Sequence, residues 1–158
     1  MTKIFLILSI SFVGLFAFGQ KNNLNTDYMN RQTIYDFADA ISKRDIDKIC
    51  SLMTDDHKFI DAHGNEMVGK DKMKAGWMGY FQLFPDYKIE ITDIFSNGNT
   101  LAAFGFASGT YQGKKTDNNE NFWRLPASWK VIVADNKIKL WQVYADSKIP
   151  FDIISKNK

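Results

Sequence analysis

The stretch Thr54-Asp55-Asp56-His57-Lys58-Phe59-Ile60-Asp61-Ala62-His63-Gly64 reads as a short strand that leaves a helix and runs into a turn. Side chains alternate across a strand, so His57, Phe59 and Asp61 share one face while Lys58 and Ile60 share the other. A carboxylate two places from an aromatic residue, pointing the same way, is where acid–base chemistry would sit. The flanking segments read as a wall around that face.

On the N-terminal side, Ile34, Phe37, Ala38 and Ile41 recur at helical spacing between about Asp27 and Ser42. Ser42-Lys43-Arg44-Asp45 breaks the stripe, and a second short helix gathers Ile46, Ile49, Leu52 and Met53 on one side. On the C-terminal side, Gly69-Lys70-Asp71 opens a third helix with Met73, Trp77, Tyr80, Phe81 and Phe84 in one stripe. Pro85 ends it, because the residue before a proline is pushed out of helical geometry. Gly76 and Gly79 each cost about 1 kcal/mol inside that helix, a cost usually justified by close approach of another backbone or a ligand.

After Pro85 the period changes from 3.6 to 2. Tyr87, Ile89 and Ile91 alternate with Lys88, Glu90 and Thr92, and Asn97-Gly98 is a strong hairpin signal. The return strand, Thr100 to Tyr111, sets Ala103, Gly105, Ala107 and Gly109 on one face and Phe104 and Phe106 on the other. Such a small-residue face leaves room for a ligand or marks bends and close helix contact. Gln112 to Asn121 reads as a polar hairpin end. Phe122 to Val133 is a long strand with an irregularity expected at Pro126, Asp135-Asn136 turns the chain, and Lys137 to Asp146 is the last strand. Helices first and antiparallel strands after them make one α+β domain over 27–148. Residues 149–158 are expected to be a tail with one helical turn.

Lys3, the apolar run Ile4 to Phe18 and the small residues of Ala17-Phe18-Gly19 form the pattern of a cleaved signal peptide over 1–19. The run is short for a membrane span, which takes about 20 apolar residues. The mature protein is therefore expected to be exported, periplasmic or secreted, with 20–26 as a flexible leader and no stable membrane insertion. Among 158 residues, 45% are hydrophobic and 15% aromatic, enough for a packed core. Twenty basic residues against 18 acidic ones offer no electrostatic case for nucleic acid. Cys50 is the sole cysteine, so no intramolecular disulfide can form, and its helical position favours a buried packing role.

The motifs Arg44-Asp45-Ile46-Asp47, Thr54-Asp55-Asp56, Gly69-Lys70-Asp71, Phe84-Pro85-Asp86 and Trp141-Gln142-Val143-Tyr144-Ala145-Asp146 stand in an order that resembles the nuclear transport factor two-like superfamily. Within it the chain is most similar to SnoaL-like polyketide cyclases and ketosteroid isomerase-like proteins. The resemblance implies a cone-shaped, curved antiparallel sheet packed against about three N-terminal helices, with an interior cavity. It places the isomerases' catalytic base on Asp61. Their oxyanion-hole tyrosine falls on Phe37, their second donor near Ala127 or Ser128, and their supporting tyrosine on Trp77. Losing one such donor costs about 100-fold or more, so steroid-type isomerisation is not expected. Val143 stands where epoxide hydrolases of this fold carry an acid, and it cannot do that work.

Two readings of Asp61 stand side by side: a general base whose pKa is raised by desolvation, and a carboxylate capping the Ala62 to Gly64 turn. His57 would assist as an orienting group or proton shuttle, against a plain surface histidine. Phe37, Phe59, Trp77, Tyr80, Phe81, Trp129, Trp141 and Val143 are the expected ligand-binding residues, and buried indole N–H groups would donate to a ligand oxygen. A metal held by His57, Asp61 and His63 is disfavoured because His63 lies beyond the turn. No cofactor is expected. Three functions follow: a binding module for a small hydrophobic or aromatic molecule, a cofactor-independent isomerase, cyclase or lyase using Asp61, or a non-catalytic homodimer formed through the sheet face.

Overall fold

Helix α1 (Ile10–Lys43) carries the stripe that organises the core: Ile34, Phe37, Ala38 and Ile41 are all buried. The computed structural model describes residues 10–157, with side chains from residue 24 onward. The expected leader, 20–26, is part of this helix. No glycine or proline interrupts Gln20 to Met29, and a helix already nucleated by its packed half extends at little cost. Residues 1–9 of the expected signal segment lie outside the described residues. No helix among the described residues is long and apolar enough to cross a membrane.

Arg44 takes a left-handed conformation (φ 58°) that ends α1, and the Asp45 carboxylate accepts the Lys48 N–H at 2.9 Å to start α2 (Ile46–Ser51). Strand β1 (Met53–Ile60) follows, then β2 (Glu66–Val68) and α3 (Lys70–Leu83). The meander is β3 (Lys88–Asn97), β4 (Thr100–Thr110), a 3-10 turn (Tyr111–Gly113), β5 (Phe122–Ala134) and β6 (Lys137–Ala145), closed by α4 (Lys148–Lys156). The α+β expectation holds, as a curved, unclosed six-stranded sheet in the order β2-β1-β6-β5-β4-β3.

One pairing departs from the antiparallel expectation: β1 runs parallel to β6, Phe59 opposite Trp141. Two turns required no tertiary context. Gly98 (φ 61°) sits in the two-residue turn between Asn97 and Thr100, and Asp135 and Asn136 (φ 51° and 56°) supply the two positive φ angles of the turn into β6. Pro126 interrupts nothing. It pairs in continuous register with Phe106, and β6 reaches only as far as Ala127, so on that side no ladder bond is lost.

The sheet's inner face carries rows such as Ala103–Trp129–Val143, and its outer face Phe104–Ser128–Tyr144. Gly105 is small because β3 presses on it: a Cβ there would stand 1.8 Å from the Glu90 carbonyl oxygen, beside the register shift between Ile91 and Asp93. Gly109 packs on Phe84, and Ala107 borders open space. In α3, Gly76 is approached by the Met67 side chain and Gly79 by nothing, so neither accommodates a backbone. Cys50 is half-buried against the core, its thiol pKa pushed up by desolvation.

The expected tail is a helix with a job. Ile153 of α4 is buried in the core, and the Asn157 side chain donates to Asn121 Oδ1 at 3.0 Å. Asp86, just after α3, accepts from the backbone N–H and the hydroxyl of Thr110, each at 2.6 Å, locking the α3–β3 turn onto β4.

Candidate functional site

Between α3 and the inner face of the sheet lies a cavity of about 370 Å³. Helix α3 contributes Trp77 and Tyr80, β3's approach contributes Tyr87, and β5 contributes Trp123 and Trp129. Trp141 and Val143 of β6 and Phe59 of β1 add to the apolar lining. Pro150, Phe151 and Ile154 of α4 cover one side. The rings form a connected cluster: Tyr80 meets Tyr87 edge-on at 4.9 Å between centroids, Trp77 lies 6.2 Å from Tyr80, and Tyr87 lies 6.0 Å from Trp123.

Seven of the residues expected here line the cavity: Asp61, Phe59, Trp77, Tyr80, Trp129, Trp141 and Val143. Three do not. Phe37 is fully buried beneath the floor, edge-on to Trp141 at 5.0 Å. Phe81 backs the wall, stacked on Trp77 at 5.5 Å. His57 is not the surface histidine that its flanking aspartates suggested. It is 1% exposed, its Nδ1 bonded to the Ile138 carbonyl at 2.8 Å, and its Nε2 has no partner among the described residues. Burial pushes the imidazole pKa down, only partly offset by the Ile138 bond. His57 therefore ties β1 to β6, and no bond joins it to Asp61.

Asp61 is half-buried at the rim of the cavity, whose lining also holds His63, Asp146 and Ser147. Its Oδ1 accepts the backbone N–H groups of His63 and Asn65, each at 2.8 Å, and its Oδ2 accepts the Asn65 side-chain amide at 2.8 Å. Partial burial works to raise its pKa, but the Asn65 and His63 bonds outweigh it and hold the carboxyl below the usual carboxylate range. The raised pKa expected of a desolvated base is thus corrected. Asp61 faces the cavity and caps the turn at once. His63 Nε2 lies 3.2 Å from Ser147 Oγ, so the two histidines and Asp61 do not converge.

The interior holds donors that the resemblance did not lead one to expect. The hydroxyls of Tyr80 and Tyr87 make no hydrogen bond among the described residues, and desolvation pushes both phenol pKa values up. The indole N–H groups of Trp77, Trp123 and Trp129 are buried and equally without partners. Two sequence signals pointed to the members missed in the chain itself. Tyr87 leads the alternating series Ile89 and Ile91, and Trp123 shares strand parity with Trp129. The apolar residues Pro150, Phe151 and Ile154 marked α4.

A curved sheet folded over an aromatic cavity, with helices across its open side, supports a small-molecule-binding or cyclase- and isomerase-type domain. The profile of the SnoaL-like domain matches residues 34–141, and the chain belongs to that family. Solved structures agree on the fold. An epoxide hydrolase of the LEH-like type from M. tuberculosis superposes with a TM-score of 0.67 at 15% identity, over 82% of this chain and 91% of that one. A candidate SnoaL-like polyketide cyclase from Shewanella denitrificans gives 0.67 at 13% identity, over 80% and 97%. A ketosteroid isomerase-like protein from Catenulispora acidiphila, solved with trimethylamine, gives 0.63 at 17% identity, over 71% and 83%. No curated protein matches the chain.

Proposed function

We propose that this chain is an exported SnoaL-like binding protein that shelters a small hydrophobic or aromatic molecule. The observation that carries the reading is the cavity of about 370 Å³ walled by Trp77, Tyr87, Trp123, Trp129 and Trp141. Burying apolar ligand surface there is worth about 25 cal/mol per Å², and the lining presents few competing charges. Export rests on the basic start, apolar run and small residues at Ala17-Phe18-Gly19. The test is saturable one-to-one binding of a neutral fluorescent apolar probe, N-phenyl-1-naphthylamine. Ala107→Phe, which fills the cavity from β4, should weaken binding at least tenfold. Equal binding by that variant would place the probe elsewhere and end the reading.

A second reading, a cofactor-independent isomerase, cyclase or lyase, rests on Asp61 standing at the cavity rim. A carboxyl held below its ordinary pKa is a weak base, so this reading ranks lower. Turnover of ketone substrates by wild type but not by Asp61→Asn would promote it. Homodimer formation through the outer sheet face draws on the exposure of Phe95, Phe104 and Tyr144, and sedimentation of the chain tests it directly.

A further inference from the structure

The cavity has an internal polarity that narrows the ligand. At the rim stand acceptors, the carboxylates of Asp61 and Asp146. Deeper in the lining, the polar groups without a partner among the described residues can all donate: the Tyr80 and Tyr87 hydroxyls, which keep some accessible surface, and the fully enclosed N–H groups of Trp77, Trp123 and Trp129. An indole nitrogen donates only, and a phenol kept protonated by desolvation always carries a proton to give. Trp77, Tyr80, Tyr87 and Trp123 are ring neighbours, so four of these donors belong to one aromatic cluster. Among the described residues the fold supplies no acceptor to either phenol hydroxyl, and a ligand oxygen in the cavity is within the reach of groups that line it. Among the described residues no lysine or arginine lines the cavity, so an anionic group would be desolvated there without a counter-charge from them.

Taking the binding function above as given, we infer that the sheltered molecule is uncharged and buries an end that carries hydrogen-bond acceptors, taken by the Tyr80 and Tyr87 hydroxyls. The two phenols are specificity-determining residues. They select a carbonyl or ether oxygen over a hydrocarbon of the same shape, and they set which end of the molecule enters first. Asp61, at the rim, is left to receive a donor on the outer end.

The experiment compares 9-fluorenone with fluorene, which share a planar skeleton and differ in the carbonyl oxygen. Calorimetry on the full chain should give fluorenone about tenfold tighter binding, and the fluorenone carbonyl stretch should move to lower frequency on binding. Tyr80→Phe/Tyr87→Phe removes only two unpartnered hydroxyls, so the fold is retained, and the fluorenone-to-fluorene ratio should fall to within about twofold of one. Equal affinities in wild type, or an unchanged ratio in the double variant, would overturn the acceptor inference while leaving the cavity as a binding site. If neither compound binds, and N-phenyl-1-naphthylamine does not either, the binding function itself fails and takes the inference with it.

Discussion

Asn65 holds both carboxylate oxygens of Asp61: its backbone N–H donates to Oδ1 and its side-chain amide to Oδ2, each at 2.8 Å. This grip explains why a rim carboxylate beside an aromatic cavity has a lowered pKa. Asn65→Ala removes the side-chain half of the grip. The Asp61 pKa should then rise toward the ordinary aspartate value, read as a carboxyl carbon titration by NMR. The linkage follows in sign. A carboxyl with a folded pKa below its unfolded value stabilises the protein above the unfolded pKa, near 4, and loses that contribution as pH falls through the folded value. Asn65→Ala should therefore flatten part of the acid limb of the stability curve. A pKa unmoved by the substitution would show that the turn does not set it.

His57 acts in the opposite pH direction from a salt-bridged histidine. Its folded pKa lies below its unfolded value of about 6.5, so below that pH the unfolded chain binds the proton more readily. Its contribution is complete above about pH 6.5 and drains away as pH drops below it. Urea denaturation at pH 8 and pH 5 should show wild type losing stability over this range. His57→Phe should be less stable at pH 8, having lost the bond to the Ile138 carbonyl, yet show a smaller fall between the two pH values.

Two glycines, one in β4 and one in α3, should respond in opposite ways to alanine. At Gly105 the new Cβ would meet the β3 backbone, 1.8 Å from the Glu90 oxygen and 3.1 Å from the Ile91 Cα. Backbone cannot step aside as a side-chain tip does, so Gly105→Ala should cost at least about 3 kcal/mol or prevent folding. Gly79 has open space around its Cβ position in the exposed face of α3, and Gly79→Ala should stabilise by about 0.5–1 kcal/mol. Chemical denaturation of both variants decides the matter.

Helix α4 closes the cavity and also anchors itself. Ile153→Ala should cost about 2 kcal/mol, since that side chain is buried against the core. Phe151→Ala removes a cavity-lining ring that also meets His63 edge-on at 5.1 Å. It should speed dissociation of N-phenyl-1-naphthylamine several-fold with little effect on stability, because Phe151 is itself exposed. Stopped-flow dissociation measures the first effect and thermal melting the second.

What was readable in the chain itself was whatever short-range physics settles. The apolar stripe from Ile34 to Ile41, the alternation from Tyr87 to Ile91 and the turn at Asp135-Asn136 each depend on a few neighbouring residues and appear as expected, and the turn signalled by Asn97-Gly98 falls one residue later, on Gly98-Asn99. Strand parity likewise put Phe59, Trp129, Trp141 and Val143 on the cavity side. Only the tertiary structure decided how distant segments meet: that β1 joins β6 in parallel, that His57 is buried against the Ile138 carbonyl, and that α4 returns over the cavity. The same holds for Asp61, whose charge is governed by the conformation of Asn65 at the turn, and for the unpaired hydroxyls of Tyr80 and Tyr87. Whether a polar atom has a partner depends on what the folded chain brings to it through space, and residue order along a strand carries no record of that.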